Sequence, residues 1–486
     1  MTEEHRVGGI EAAIPDREDC SAVADENLPA RALDSPLERV REEIARTGVR
    51  FLLAQFVDIH GSAKVKMVPA SGLDSIVKFG AGFAGGAVWG MGQKAHSHDL
   101  MARADLDTYT PLPWRPAIAR FACEIYVDGK PHPYCSLGNL RRVTTDLRRE
   151  GFVFNCGIEP DHFLVRKHPD GTISPWDPGQ VDTLQKPCYD FKGICQAMGY
   201  LQELTEGLNA LHWGVYQCDH EDANGQYEVN FAYADALTSA DRYTFFKMMT
   251  SQLAGKYGCI ATHMAKPLAN QAGNGGHFHF HLASAQTGEN LFLDPNDPRG
   301  LGMSQLAYHF IGGIIKHARA LCAVTSPTVN CYKRLQVGPA LTGTRSGYSW
   351  TPAFISYGDN NRTQMLRTPG PGRFEDRTIS AACNPYLALA VYITAGMDGV
   401  RNQLDPGEPN LGENMYELEA EEIERRGVGI LPQSLYEALE DLKLDPVVQS
   451  GLGAIYDEFL RLKEGEWREY HRVVSQWEID RYLQFF

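Results

Sequence analysis

The sequence predicts an α+β fold in two unequal domains. Two observations carry this. A capped helix runs into a strand–turn–strand unit near the N-terminus. Further along, three segments place chemically active side chains at every second residue, the period of a β-strand, among stretches with helical spacing. At 486 residues the chain can bury a large core and form two or more domains.

Residues 1–33 are polar, acidic and patternless, and are expected to form a flexible tail. A helix follows, with Ser35 as cap, Pro36 at its first position, Glu38 completing a capping box, and Leu37, Val40 and Ile44 as its apolar stripe; Gly48 ends it. Residues 50–57 read as a strand, 58–62 as a turn and 63–68 as a second strand, opening a small β-rich domain over 34–135. Gly80-Ala-Gly82-Phe-Ala-Gly85 matches G-x-G-x-x-G, but no apolar strand leads into it and no helix follows, so it is read as a loop. The larger domain, 136–486, starts with a helix over 137–150 and then the strand of Glu159. Helices are expected at 192–210, 240–256 and 303–323, and a strand at 226–233 with Glu228 and Asn230 on one face. Long loops are expected over 337–372 and a helical region over 430–486.

Composition narrows the function classes. The chain is 43% hydrophobic and 22% charged, ordinary for a soluble globular protein. A net charge of −15 argues against nucleic-acid binding by the surface as a whole. The eleven cysteines are scattered with no CxxC pair, which predicts reduced thiols and a cytoplasmic setting. No leader-like segment and no apolar run of membrane-spanning length is read, so no membrane partner is expected. Residues 331–377 run against the acidic background: seven basic residues (Lys333, Arg334, Arg345, Arg362, Arg367, Arg373, Arg377) face three acidic ones, the mark of an anion site.

The chemistry lies in the alternating segments. Glu159-Pro-Asp161 puts two carboxylates on one strand face, where they repel unless a cation or solvent offsets them. His220-Glu221 joins Glu228 through a turn, which alone also fits a solvated acidic loop. A glycine-rich approach, Gly273 to Gly276, leads into His277-Phe-His279-Phe-His281, an imidazole-lined strand suited to a ligand. Arg373-Phe-Glu375-Asp-Arg377 flanks a carboxylate with two guanidiniums, either in a site or in a surface salt-bridge ladder. Together these are hard-cation ligands beside phosphate-binding arginines, the parts of metal-dependent phosphoryl chemistry.

In this order, with Tyr332-Lys-Arg334-Leu335, Asn361-Arg362, Arg367, Asn384-Pro-Tyr386-Leu387 and Trp477-Glu-x-x-Arg-Tyr482, the set resembles the glutamine synthetase superfamily from about Asp58 to the C-terminus. The resemblance implies a small β-grasp-like domain, a catalytic domain with a curved antiparallel sheet, and a homo-oligomer of stacked rings, a dodecamer, with sites between subunits. It implies two or three Mg²⁺ or Mn²⁺ ions, one on Asp161, Glu221 and Glu228, another on Glu159, His277 and Glu375. Gly273, Arg334 and Arg377 would bind glutamate. Arg362, Arg367 and Arg373 would hold the ATP phosphates with His279 nearby, and Arg362 would also act in catalysis. Asp58 from a neighbouring subunit and Glu221 would capture and deprotonate the amine, with Tyr189 as a wall.

Three positions depart from the family pattern. Asp161 replaces the usual Glu, Ala272 replaces the Asn before Gly273, and the loop Gln336-Val-Gly-Pro-Ala340-Leu-Thr lacks the usual gate carboxylate. The run from Gly214 to Glu228 resembles the branch that joins glutamate to methylamine, giving γ-glutamylmethylamide, and loss of a bulky anionic gate would make room for a methyl group. Ammonia or a larger amine are the alternatives. The acid, His and Arg set argues against a non-catalytic scaffold, and the amine-site aspartate that the resemblance assigns to Asp58 argues against a phosphagen-kinase-like activity.

Overall fold

A computed structural model describes residues 35–337 and 351–486. The expected tail and the Ala340 part of the gate loop lie outside these residues.

The first helix, α1 (Pro36–Thr47), forms as its signals predict. Ser35 Oγ accepts the Glu38 backbone N–H at 3.3 Å, and Gly48 closes the helix in the left-handed region at φ 69°. The expected capping box is only half made: the Glu38 side chain turns to Arg41, at 2.5 Å, because an i, i+3 ion pair competes for it. Both halves of such a box form instead at Ser475 and Glu478.

Among the described residues, seven strands form the N-terminal sheet. Its main path is β2 (Ala63–Pro69), β1 (Phe51–Val57), β5 (Ile118–Val127), β4 (Leu100–Ala104), β3 (Ala81–Phe83). β1 and β2 are antiparallel across the Asp58–Ser62 turn, while β1 and β5 are parallel. The glycine-rich 80–100 stretch is loop apart from β3 and one turn of 3₁₀ helix, in keeping with its sequence.

Helix α2 (Ser136–Arg149) leads into the second sheet, ten strands among the described residues. Its main path is β7 (Val215–His220), β8 (Gln226–Phe231), β6 (Phe152–Lys167), β9 (Gly276–Ser284), β12 (Arg373–Asp376), β11 (Leu366–Gly370), β10 (Tyr357–Gly358). All pairs on this path are antiparallel except β10 with β11. The expected helix at 192–210 is two helices, α3 (Phe191–Gln196) and α4 (Met198–Ala210), broken where Ala197 leaves helical geometry at φ −98° and ψ 7°. The expected loops over 337–372 contain β10 and β11, strands too short and glycine-rich to announce themselves.

One face of the second sheet is apolar. Phe278, Phe280 and Phe374 are fully buried there, the last two edge-to-face at 4.6 Å. Helices α5 (Ala236–Lys256), α6 (Gln305–Thr325) and α7 (Pro385–Asn402) belong to the same core. An ion pair ties the N-terminal sheet to the helices of the second sheet's core: Arg120 on β5, 1% exposed, donates twice to Asp241 on α5 at 2.6 Å, and Tyr386 on α7 donates to the same carboxylate at 3.1 Å. A buried guanidinium needs such a fork to offset its lost hydration.

Candidate active site

The other face of the second sheet lines a cavity of about 590 Å³. Register assembles it. Across β6 and β9, Glu159 stands opposite His277; across β6 and β8, Asp161 stands opposite Glu228. Across β9 and β12, His279 stands opposite Glu375, which in turn faces Arg367 on β11. The period of two that sends the phenylalanines inward sends these groups into the cavity.

The acids divide into two groups. Asp161, Glu221 and Glu228 bring carboxylate oxygens within 4.8 Å of one another, with no basic residue among them. Burial pushes Asp161 up to about 6. Burial and the neighbouring Asp161 charge push Glu221 up to about 8, and burial with Glu221 and Glu159 raises Glu228 well above the carboxylate range. Asp161 Oδ2 accepts the Gly275 N–H at 2.6 Å, but Oδ1 is buried with no hydrogen-bond partner. Three crowded oxygen donors and an orphaned buried oxygen fit a hard divalent cation, whose charge would reverse these shifts. The shorter reach of Asp161 does not take it out of the cluster.

The second group is balanced by cations. Glu375 is fully buried, yet its carboxyl is held down at about 2: burial acts against ionisation, but Arg377, the histidines and Arg367 outweigh it. Arg367 lies at 2.7 Å and Arg377 at 3.1 Å. His277 Nδ1 lies 3.4 Å from Glu375 and 3.9 Å from Glu159, while His279 Nε2 lies 3.1 Å from Glu159. The His279 contact lacks hydrogen-bond geometry, leaving both ring nitrogens without a hydrogen-bond partner. Burial and the arginines drive His277 well below its ordinary value, so it presents the neutral ring a metal requires. Donor atoms within 4.8 Å occur in two overlapping sets, Glu159–His279–Glu375 and Glu159–Glu228–His277; the expected Glu159–His277–Glu375 set draws on both.

Around this floor lie the other expected groups. Arg334 donates to the Arg377 and Thr378 carbonyls at 2.8 and 3.1 Å and lines the cavity with Arg377 and Gly273. Position 273 must be glycine, because a Cβ there would come within 2.5 Å of the Ala265 carbonyl oxygen. Arg362 and Arg373 are exposed and line the same cavity, as does Tyr189. Asp58 is the outlier. It is 1% exposed, does not line this chain's cavity, and accepts from the His60 and Ser62 N–H groups at 3.0 and 2.9 Å and from Lys64 Nζ at 3.0 Å.

Sequence reasoning passed over several lining groups: Asp219, Gln226 and Lys266. Gln226 Nε2 donates to the Gly273 carbonyl and to Asn274 Oδ1, both at 3.1 Å, fixing the glycine loop. Lys266 donates to the Gln271 carbonyl, and burial together with Arg334 lowers it to about 8. Asp219 stands opposite Glu228, a placement that only register reveals.

The family model described as "Glutamine synthetase, catalytic domain" matches residues 134–482, and "Glutamine synthetase, beta-Grasp domain" matches 48–128. The chain belongs to the glutamine synthetase family. Its N-terminal sheet corresponds to the family's β-grasp domain and its second sheet to the catalytic domain. Among relatives, it is 49% identical over 453 residues to the glutamate–methylamine ligase of Methyloversatilis universalis, covering 93% of this chain and 100% of that protein. It is 39% identical to a glutamine synthetase of Rhizobium meliloti, covering 89% and 96%. A solved chain described as "GmaS/ADP complex-Conformation 1" superposes with a TM-score of 0.84 at 39% identity, covering 91% of this chain and 98% of that one.

Proposed function

We propose that this chain is an ATP-dependent carbon–nitrogen ligase that joins the γ-carboxylate of L-glutamate to methylamine through γ-glutamyl phosphate, releasing γ-glutamylmethylamide, ADP and phosphate. The observation that carries the reading is 49% identity along the whole length of a glutamate–methylamine ligase. The cavity supports it, setting carboxylates, imidazoles and arginines around one volume.

In this reading Asp161, Glu221 and Glu228 would hold one Mg²⁺ or Mn²⁺, and Glu159, Glu375 and His277, with His279 alongside, a second; a third ion is the upper count that the family resemblance implies. When bound, such ions offset phosphate charge during transfer. Arg334, Arg377 and Gly273 bind glutamate. Arg362, Arg367 and Arg373 meet charge that grows on the transferring group, with Arg362 acting in the transfer itself. An alkylamine with a pKa like that of lysine, about 10.4, is about one part in a thousand neutral at pH 7, so its cation must be captured and its proton removed. Glu221 and Asp58 take those roles, with Tyr189 as a wall. That Asp58 lies away from its own chain's cavity supports its serving a neighbouring subunit in a ring-shaped homo-oligomer. A cytoplasmic setting belongs to the same proposal and draws on the free cysteines.

The test is ATP-dependent phosphate release with glutamate and ammonia, methylamine, ethylamine or putrescine. Methylamine should give the highest kcat/KM, with ammonia lower by about 10- to 200-fold, the range one methyl in a pocket commands. Equal or better use of ammonia would instead make the chain a glutamine synthetase. Asp58→Asn should abolish amine-dependent turnover while slow amine-independent phosphate release persists.

A further inference from the structure

The cavity wall at residues 182–193, which supplies Lys186, Cys188 and Tyr189, has no strand to hold it. It is tied instead to the β7–β8 hairpin, and a buried pair anchors its first residue. Asp182 is 6% exposed and His220 is fully buried. His220 Nε2 lies 2.9 Å from Asp182 Oδ2, and its Nδ1 lies 2.9 Å from the Glu221 carbonyl oxygen. Asp182 also accepts from the Gly225 N–H and from Asn224 Nδ2, each at 2.7 Å, and Asn224 reaches the Leu184 carbonyl at 3.2 Å.

The same imidazole residue holds the far end of the wall. The Tyr189 N–H donates to the His220 carbonyl at 2.9 Å. Tyr189 sits at φ 63°, a conformation an aromatic residue keeps only when its surroundings impose it. Four residues on, Tyr227 Oη donates to the Gly193 carbonyl at 3.2 Å, and a Cβ at Gly193 would lie 2.5 Å from the His220 ring. The ring therefore fills a slot whose other side is Gly193, and the chain entering Glu221 leaves from that slot.

We infer that Asp182 and His220 are positioning residues: they fix the Tyr189 wall relative to Glu221 and thereby set which amines the cavity accepts. Neither residue lines the cavity; both act through groups that do. The inference rests on the reading in which Glu221 and Tyr189 face the amine.

Two variants test it. Asp182→Ala removes the acceptor for three donors. Gly193→Ala presses a methyl group onto His220, to which its three nearest atoms all belong, and carries the test alone where Asp182→Ala fails to fold. Two readouts apply to each: deuterium uptake by the peptide spanning Tyr189, and separate KM values for methylamine, glutamate and ATP. Protection of the Tyr189 region should fall. The methylamine KM should rise about 10-fold, with the other two changing by less than about 2-fold, because small misplacements near a reacting group are costly. Unchanged deuterium uptake, or an equal rise in all three KM values, would overturn the inference. A wild-type enzyme with no methylamine dependence would sink the reaction reading instead, while the deuterium readout still judges the positioning.

Discussion

The two halves of the cavity floor both bury carboxylates, and those carboxylates behave in opposite ways. Asp161, Glu221 and Glu228 are carboxylates among carboxylates, and each is driven toward its protonated form. Glu375 is at least as buried, yet it is held ionised by Arg377, Arg367 and the histidines. Burial alone therefore does not decide the charge state; the neighbours do. The acidic half offers three donors that could hold a cation. The arginine half is already balanced and can hold its shape before any ligand arrives.

The largest effect expected from this contrast is on turnover. Glu221→Ala, Glu159→Ala and His277→Ala should each lower kcat by at least about 100-fold, the scale of losing one preorganised electrostatic group, and chelation by EDTA should do the same to the parent enzyme until Mg²⁺ is restored. Near-normal rates in any of the three variants at saturating Mg²⁺ would remove that residue from the metal-binding set.

Stability should separate the halves by sign. In metal-free protein, Glu375→Gln strands two guanidiniums in the interior and should cost about 3–5 kcal/mol, as breaking a buried pair does. Glu228→Gln relieves repulsion and should leave metal-free stability unchanged or higher, while abolishing stabilisation by Mg²⁺. Urea unfolding with EDTA, at fixed protein concentration, decides it; the same sign for both variants would mean the halves do not differ as described.

The arginines at the exposed edge are expected to matter less. Arg362→Ala and Arg373→Ala should lower kcat by about 10-fold or more with little change in glutamate KM, because the charge they meet develops during transfer. A variant that only raises the glutamate KM would place that arginine on glutamate instead.

The smallest effect extends the contrast to two imidazoles. His277, beside arginines, is pushed well below its ordinary value. His317 on α6 is raised: burial opposes its charge, but Asp445 at 2.6 Å and Asp398 at 3.0 Å outweigh it. Lys316 also pairs with Asp398, at 3.0 Å, and Asp445 caps α8 (Pro446–Leu452). A raised folded-state value means stabilisation that is complete below the unfolded value, about 6.5, and that fades as pH rises through the folded one. Asp398 and Asp445 are both lowered, so their share fades in acid. His317→Gln should therefore cost most in mildly acidic solution and progressively less in alkaline solution, read as the difference in Tm across pH. A constant difference would leave only packing.

Much of this was legible locally. The helix signals around Ser35 and Pro36 held because capping involves residues three apart. The i, i+2 spacing of Glu159–Asp161, His277–His279 and Arg373–Glu375 revealed one polar face because strand period is a property of the backbone alone. The break at Ala197 was not legible, since Gly193, Gly199 and Gly207 punctuate the run from Phe191 to Ala210 without singling out that residue. Lys266, Gln226 and Asp182 were not legible either. Their importance comes from partners far away in sequence, and an isolated Lys, Gln or Asp is ordinarily a solvated surface residue.

By itself the sequence determined which chemistry the chain carries: hard-cation ligands, imidazoles and arginines on strands, in an order resembling one family. Tertiary structure decided how they pair. Register set His277 against Glu159 and Glu228 against Asp161, and it brought Arg367 and Arg377 to Glu375 while grouping Glu221 with Asp161 and Glu228. A carboxylate's charge state depends on what lies within a few ångströms of it, and that neighbourhood exists only once distant strands have met.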